Sequence, residues 1–361
     1  MKRIALGLVW AAIGCGGEDS PARGGGVRVW HCGETRAREL VRVGFPPNRN
    51  GVEFVIERAG SCLGGWAVVT TANASETEGA VSLVDLNTFS VREDFAPASP
   101  DAVARHIDGR LYILNRSGAD SIRVYDSTRD FQSVGAEFSV ADQGESAEPQ
   151  DICCTSREEC YVTRREDPEI LIINPEAEAE GKVLGRIDLS SDVDPNPRPG
   201  ACFLAGSRLA VALENAIAFV NLALDPPTVG STLETAAPNP SGRFVAFSGT
   251  QALIAEVGEP GVADGVLELI DVAMSESVGT KLTEEALGGD LISITHCSSP
   301  QSYWAIAADA SGHTALRSVD LATATDPGVA RRPLFEADGD RLTGVSADAC
   351  NKIWVTDRDL E

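Results

Sequence analysis

The arrangement of apolar and polar positions repeats along the chain. One pentad recurs: apolar, any residue, two apolar, then a short polar residue. It appears as Val81-Ser82-Leu83-Val84-Asp85, Ile122-Arg123-Val124-Tyr125-Asp126 and Ile170-Leu171-Ile172-Ile173-Asn174. Three more copies are Ile217-Ala218-Phe219-Val220-Asn221, Leu267-Glu268-Leu269-Ile270-Asp271 and Leu316-Arg317-Ser318-Val319-Asp320. The polar ends are spaced by 41, 48, 47, 50 and 49 residues, the repeat length of a β-propeller blade. Apolar and β-branched runs of this length suit buried strands. The closing Asp or Asn accepts hydrogen bonds from backbone just ahead of it and so starts a turn. A second apolar run follows most copies and completes a hairpin. Two further short runs precede each pentad, such as Leu111-Tyr112-Ile113-Leu114. Four short strands per repeat make one blade.

The last repeat supplies its first two strands, over 341–355, and lacks a pentad. The missing part is at the other end, where Val27-Arg28-Val29-Trp30-His31 fits the pattern and Leu40-Val41-Arg42-Val43 follows it. Six complete repeats and one split repeat predict an all-β, seven-bladed β-propeller whose last blade is shared between the termini. Such sharing leaves no unpaired closing edge.

Upstream of the repeats, Met1-Lys2-Arg3 is basic and residues 4–13 form an apolar run. The run is too short to span a bilayer but has the length of a secretory signal core. Ala12-Ile13-Gly14-Cys15 resembles the lipobox of bacterial lipoproteins, with Ala12 in place of the usual Leu. The resemblance implies cleavage before Cys15 and a diacylglycerol on its sulfur. Gly16 follows the cysteine, a feature that goes with sorting to the outer membrane. The expected organisation is a signal over 1–14, a glycine-rich tether over 15–26 and the propeller over 27–361. Pro100-Asp101-Ala102-Val103-Ala104, Asp108-Gly109-Arg110-Leu111-Tyr112-Ile113-Leu114-Asn115 and the following pentad resemble YVTN-type propeller repeats. That resemblance implies a scaffold and no particular activity.

Composition changes the picture in two ways. The net charge of −24 excludes a nucleic-acid partner held through phosphates. The membrane partner is the expected lipid anchor, and the chain is expected to be a monomer. Apart from Cys15 there are eight cysteines, and in an exported protein they predict disulfides. Cys32 and Cys350 fall in adjacent turns of the split blade and are the first expected pair. Cys160 is expected to pair with Cys153 or Cys154 across a hairpin. Cys62, Cys202 and Cys297 have no partner readable from sequence.

Motifs for nucleophile elbows, zinc-protease helices and phosphate loops are absent. The four histidines, His31, His106, His296 and His313, fall in different blades. The Asp pairs at 338–340 and 192–196 do not match a calcium loop. No cofactor, metal or catalytic residue is therefore expected. Binding is expected on two loop sets: inter-blade loops (among them 140–151, 190–200, 283–290 and 335–341) and loops joining second to third strands (164–169 and 256–265 among them). Loops on a rigid scaffold are where function sits. Charged candidates on that face are Asp101, Asp151, Arg164, Arg198, Arg243, Asp290, Arg341 and Asp357. The leading expectation is a non-catalytic binding or scaffold propeller for a protein, glycan or small ligand. The alternative is a lactonase-like hydrolase with a central metal.

Overall fold

The computed structural model describes residues 24–32, 41–44, 50–56 and 65–360, apart from positions 74, 117, 143–144, 179–181, 192–193, 239, 260, 299–300, 322–328, 338–341 and 349–350. The expectations for Cys15, Cys62, Cys350 and Arg341 lie outside the described residues.

The chain is an all-β, seven-bladed β-propeller. The N-terminal strands are β1 (Gly24–His31), which starts before the expected boundary at Val27, and β2 (Val41–Gly44). Blade 1 is Asn50–Ile56, Trp66–Ala72, Gly79–Asp85 and Val91–Ala98 (β3–β6). Blade 2 is Val103–Ile107, Arg110–Asn115, Ser121–Asp126, Gln132–Ser133 and Phe138–Ser139 (β7–β11). Blade 3 is Pro149–Ser156, Glu159–Arg164, Glu169–Ile173 and Val183–Asp188 (β12–β15). Blade 4 is Cys202–Ala205, Arg208–Ala212, Ala216–Asn221 and Thr228–Glu234 (β16–β19). Blade 5 is Pro240–Ser248, Gln251–Glu256, Val266–Asp271 and Glu276–Thr283 (β20–β23). After the short helix α1 (Glu284–Leu287), blade 6 is Asp290–Ser298, Gln301–Ala308, Thr314–Asp320 and Val329–Ala337 (β24–β27). The last strands are β28 (Leu342–Ala347) and β29 (Lys352–Leu360).

The chain divides into two compact units. One holds blade 1, the shared blade and most of blade 6; the other holds essentially blades 2 to 5. In the first unit the termini form one sheet in the order β2-β1-β29-β28. Val29 pairs with Trp354, and Trp30 with Ile353. The Arg28 Nε to Asp357 Oδ2 ion pair, 2.6 Å long and almost fully buried, joins the two ends of the chain within that sheet. Val27, Val29 and Trp354 pack on Ala67, Val69 and Val84 of blade 1.

The pentads are the third strands, and they are buried on both faces, as in Gly79–Asp85. That is why they read as nearly continuous apolar runs. Their closing residues do what short polar side chains do: Asp85 Oδ1 accepts from the N–H groups of Asn87 and Thr88, and Asp271 Oδ1 accepts from Ala273 and Met274. Fourth strands such as Thr228–Glu234 are largely exposed sheet edges.

Three disulfides are described; the first corrects an expected pair, the second supplies the partner that sequence left open for Cys202, and the third is one of the two expected alternatives. Cys32 bonds Cys297 of blade 6, with a Cα separation of 6.1 Å, not Cys350. The Cys32 N–H does donate to Asn351 O at 2.7 Å, so the two turns adjoin as expected; the side chain, however, leaves its own sheet for the neighbouring blade. Cys153 bonds Cys202, which staples blade 3 to blade 4. Cys154 takes Cys160, its register partner on the next strand, which settles the choice between Cys153 and Cys154.

Candidate functional site

Within the second unit, the predicted loops of blades 2, 3 and 4 are tied to one another. Asp120, just ahead of β9, accepts from the Glu148 N–H at 2.7 Å and from the Ser146 hydroxyl at 3.2 Å. Glu148 stands at φ 47° and Arg198 at φ 52°, left-handed conformations that cost a non-glycine residue about 1–2 kcal/mol. Such strain persists where surrounding contacts hold it, often at binding sites. The Glu148 carbonyl accepts from the Arg165 N–H and from Gln150 Nε2, each at 3.1 Å. Arg116 Nη1 donates to Gln150 Oε1 at 3.0 Å. Arg198 reaches Glu214 at 3.4 Å and Glu166 at 4.0 Å.

Asp151 is buried at the start of blade 3. Its Oδ1 pairs with Arg105 of blade 2 at 2.5 Å, and its Oδ2 accepts from the Cys202 N–H of blade 4 at 3.0 Å. One carboxylate thus locks three blades in position. Arg164 is fully buried. It donates to Val140 O at 3.1 Å and pairs with Asp167 at 2.8 Å, with Asp142 and Glu169 further out. Arg186 bridges the same Asp142 and Glu169 from the surface. Its hydrogen bond holds the Asp142 carboxyl below its ordinary value, while burial pulls the Arg164 guanidinium down.

Blade 5 sets two carboxyls against each other. Ile254 pairs with Glu268 and Glu256 with Val266 across β21 and β22, so Glu256 and Glu268 project from the same face of the sheet. Both are buried. Glu256 Oε2 accepts from the Ala237 N–H at 2.8 Å, and Glu268 Oε1 accepts from the Ser277 hydroxyl. The other oxygen of each finds no donor outside the pair. Burial first, then the bond to Glu268, pushes the Glu256 carboxyl up to about 9. Two adjacent buried carboxyls cannot both ionise, so the pair keeps one proton at neutral pH. Nearby, Glu284 accepts from the Gly265 and Leu291 N–H groups at 2.9 and 2.8 Å, and Asp290 from Gly261 at 2.5 Å. These bonds bring the predicted loops 256–265 and 283–290 together.

Of the other expected residues, Asp101 is half-buried ahead of β7, Asp357 is buried against Arg28, and Arg243 lies in β20. Arg164 and Asp151 meet at the head of blade 3, where Arg198 joins through Glu166; the remainder are scattered. Arg105, Arg116, Glu148, Gln150, Arg165, Glu256 and Glu268 were not singled out from sequence. None of them left a distinguishing signal; Glu268 stands at the pentad position that accepts any residue, where Arg123 and Arg317 stand in other copies. Among the described residues no group of three or more His, Cys, Asp or Glu side chains is arranged to hold a metal ion.

No family model matches the chain, and no curated protein matches it by sequence. Solved structures do. Virginiamycin B lyase from Staphylococcus aureus is similar over 92% of this chain and 98% of its own, with a TM-score of 0.57 and 14% identity. A catalytically inactive His-to-Ala variant of that lyase, with quinupristin, matches with a TM-score of 0.57 and 12% identity over 92% of this chain and 99% of its own. The periplasmic gluconolactonase of Pseudomonas aeruginosa has a TM-score of 0.59 at 10% identity, over 87% of this chain and 96% of its own. At such identities the likeness is one of fold. The similar propellers include a lyase and a lactonase, which counts against the expectation of a non-catalytic scaffold.

Proposed function

We propose that the chain is a propeller enzyme of lactonase-like class, which opens a ring ester with water to give a hydroxy acid. The observation that carries this reading is the near full-length likeness to a gluconolactonase and a lyase. It is supported by a loop face that is braced internally yet leaves charged side chains of both signs unspent, as a polar ligand requires. The described residues do not present a metal-ligand set, and we assign no metal a role. In this proposal the protein is exported, held at the outer membrane by a lipid on Cys15, and built on YVTN-like repeats that serve as scaffold.

The test is acid release from aldonolactones in a pH-stat with the purified chain, alongside cleavage of a cyclic ester-containing peptide as the lyase arm. Turnover of a lactone above the buffer rate is expected. A protein inert toward both substrate classes would overturn the proposal.

A further inference from the structure

We propose that Arg165, Glu148 and Gln150 form a subsite for a hydroxy acid, with Arg165 taking the carboxylate and Glu148 a hydroxyl. The assignment rests on the lactonase-like reading and names its ligand class, since ring opening of a lactone yields one carboxylate and one hydroxyl. Three observations carry it.

First, all three residues meet at a single atom. The Glu148 carbonyl takes the Arg165 N–H and Gln150 Nε2, and Arg116 fixes the Gln150 amide from the far side. Second, the segment is braced from below. Asp120 grips the Glu148 N–H, Glu166 N–H donates to Ala147 O at 3.3 Å, and Arg164 and Asp151 anchor the same strand ends in the interior. The left-handed backbone at Glu148 is held by these contacts. Third, the reactive ends are unspent. Arg165 and Glu148 are half-buried, yet neither guanidinium nor carboxylate has a side-chain partner among the described residues. Arg164 and Arg186 of blade 3, and Arg198 in the loop that follows it, are all paired. In a chain of net charge −24, a half-buried guanidinium and a half-buried carboxylate on two residues joined backbone to backbone, each without a side-chain partner, are set to receive the anion and the hydroxyl of one ligand. Guanidinium-to-carboxylate recognition is the strong, oriented kind.

The experiment is calorimetric titration of the full chain with D-gluconate, with sorbitol (hydroxyls only) and acetate (carboxylate only) as controls. Gluconate is expected to bind more tightly than either control. Arg165→Gln should weaken it about tenfold or more, and Glu148→Gln should weaken it less. Neither change removes an internal side-chain contact, so an unchanged melting temperature checks the fold. Equal gluconate affinity in Arg165→Gln, or acetate binding as tightly as gluconate, overturns the subsite. The two readings fail separately. Lactone turnover with an unaltered KM in Arg165→Gln removes the subsite and leaves the enzyme; gluconate binding lost in Arg165→Gln of a protein inert toward lactones removes the enzyme and leaves the subsite.

Discussion

Blades 3 and 5 both bury ionisable side chains, and they neutralise them by opposite means. Blade 3 surrounds Arg164 with Asp142, Asp167 and Glu169, and meets Asp151 with Arg105. Blade 5 sets Glu256 against Glu268 and relies on a proton. A network of opposite charges specifies geometry because each member must find its partner. A like-charged pair is stable only while it stays protonated. The contrast predicts which blade limits stability in acid and which in alkali.

The largest effect is expected at Arg164. Replacing it with Met leaves carboxylates facing a buried void in charge, and breaking a buried pair costs about 3–5 kcal/mol. Urea unfolding of Arg164→Met measures this. A loss below about 1 kcal/mol would mean that the blade 3 network behaves as a surface one. Next comes the staple between blades 3 and 4. Cys153→Ser with Cys202→Ser opens a bridge that spans 49 residues, and the expected cost is about 2–4 kcal/mol. Because Asp151 still accepts from the Cys202 N–H in that variant, the two blades should remain docked; a loss of cooperativity in unfolding would count against Asp151 as a second tie.

The alkaline limb belongs to blade 5. Unfolded, Glu256 gives up its proton near 4.5; folded, it keeps it to about 9. Between those values the folded state binds more protons, so stability falls as pH rises through the window. The blade 3 carboxylate Asp142, lowered by Arg186, works the other way: its contribution is present above about 3.8 and is lost as pH falls through the folded value. Glu256→Gln should therefore flatten the alkaline decline and leave the acid limb in place, with a change of only about 1–2 kcal/mol at neutral pH. Melting temperatures across the two limbs decide it. An alkaline limb identical to that of the parent protein would show that the pair does not share a proton.

What sequence could show follows the same divide between local and non-local physics. Strands, hairpins and the shared blade were readable because burial on both faces writes apolar runs, and because Asp85 and Asp271 mark their turns locally. The Cys154–Cys160 bridge lies within one hairpin and was narrowed to two choices. Cys32–Cys297 and Cys153–Cys202 cross between blades, where side-chain direction is set by packing that no spacing records. The loops were readable as segments between the strands, but loops have no periodicity to separate inward from outward residues. Arg164 turns in and Arg165 turns out, and adjacent arginines look alike in a sequence. Glu268 occupies the unconstrained position of its pentad, where Ser82, Arg123 and Arg317 stand in other copies, so its burial against Glu256 had no contrast to reveal it.

The finest test of the comparison uses two arginines that share partners. Arg186 contacts the same Asp142 and Glu169 as Arg164, but its side chain is 34% exposed where that of Arg164 is 0%. Water screens Arg186 and gives its carboxylates an alternative, so Arg186→Gln should cost only about 0.2–1 kcal/mol. Salt separates the two further. Added sodium chloride shortens the reach of exposed charges and leaves buried ones nearly unaffected. The gap between Arg186→Gln and the parent should therefore close as salt rises, while that of Arg164→Met should persist. If both gaps closed alike, burial would not be what distinguishes the two residues, and blade 3 would owe its geometry to surface ion pairs.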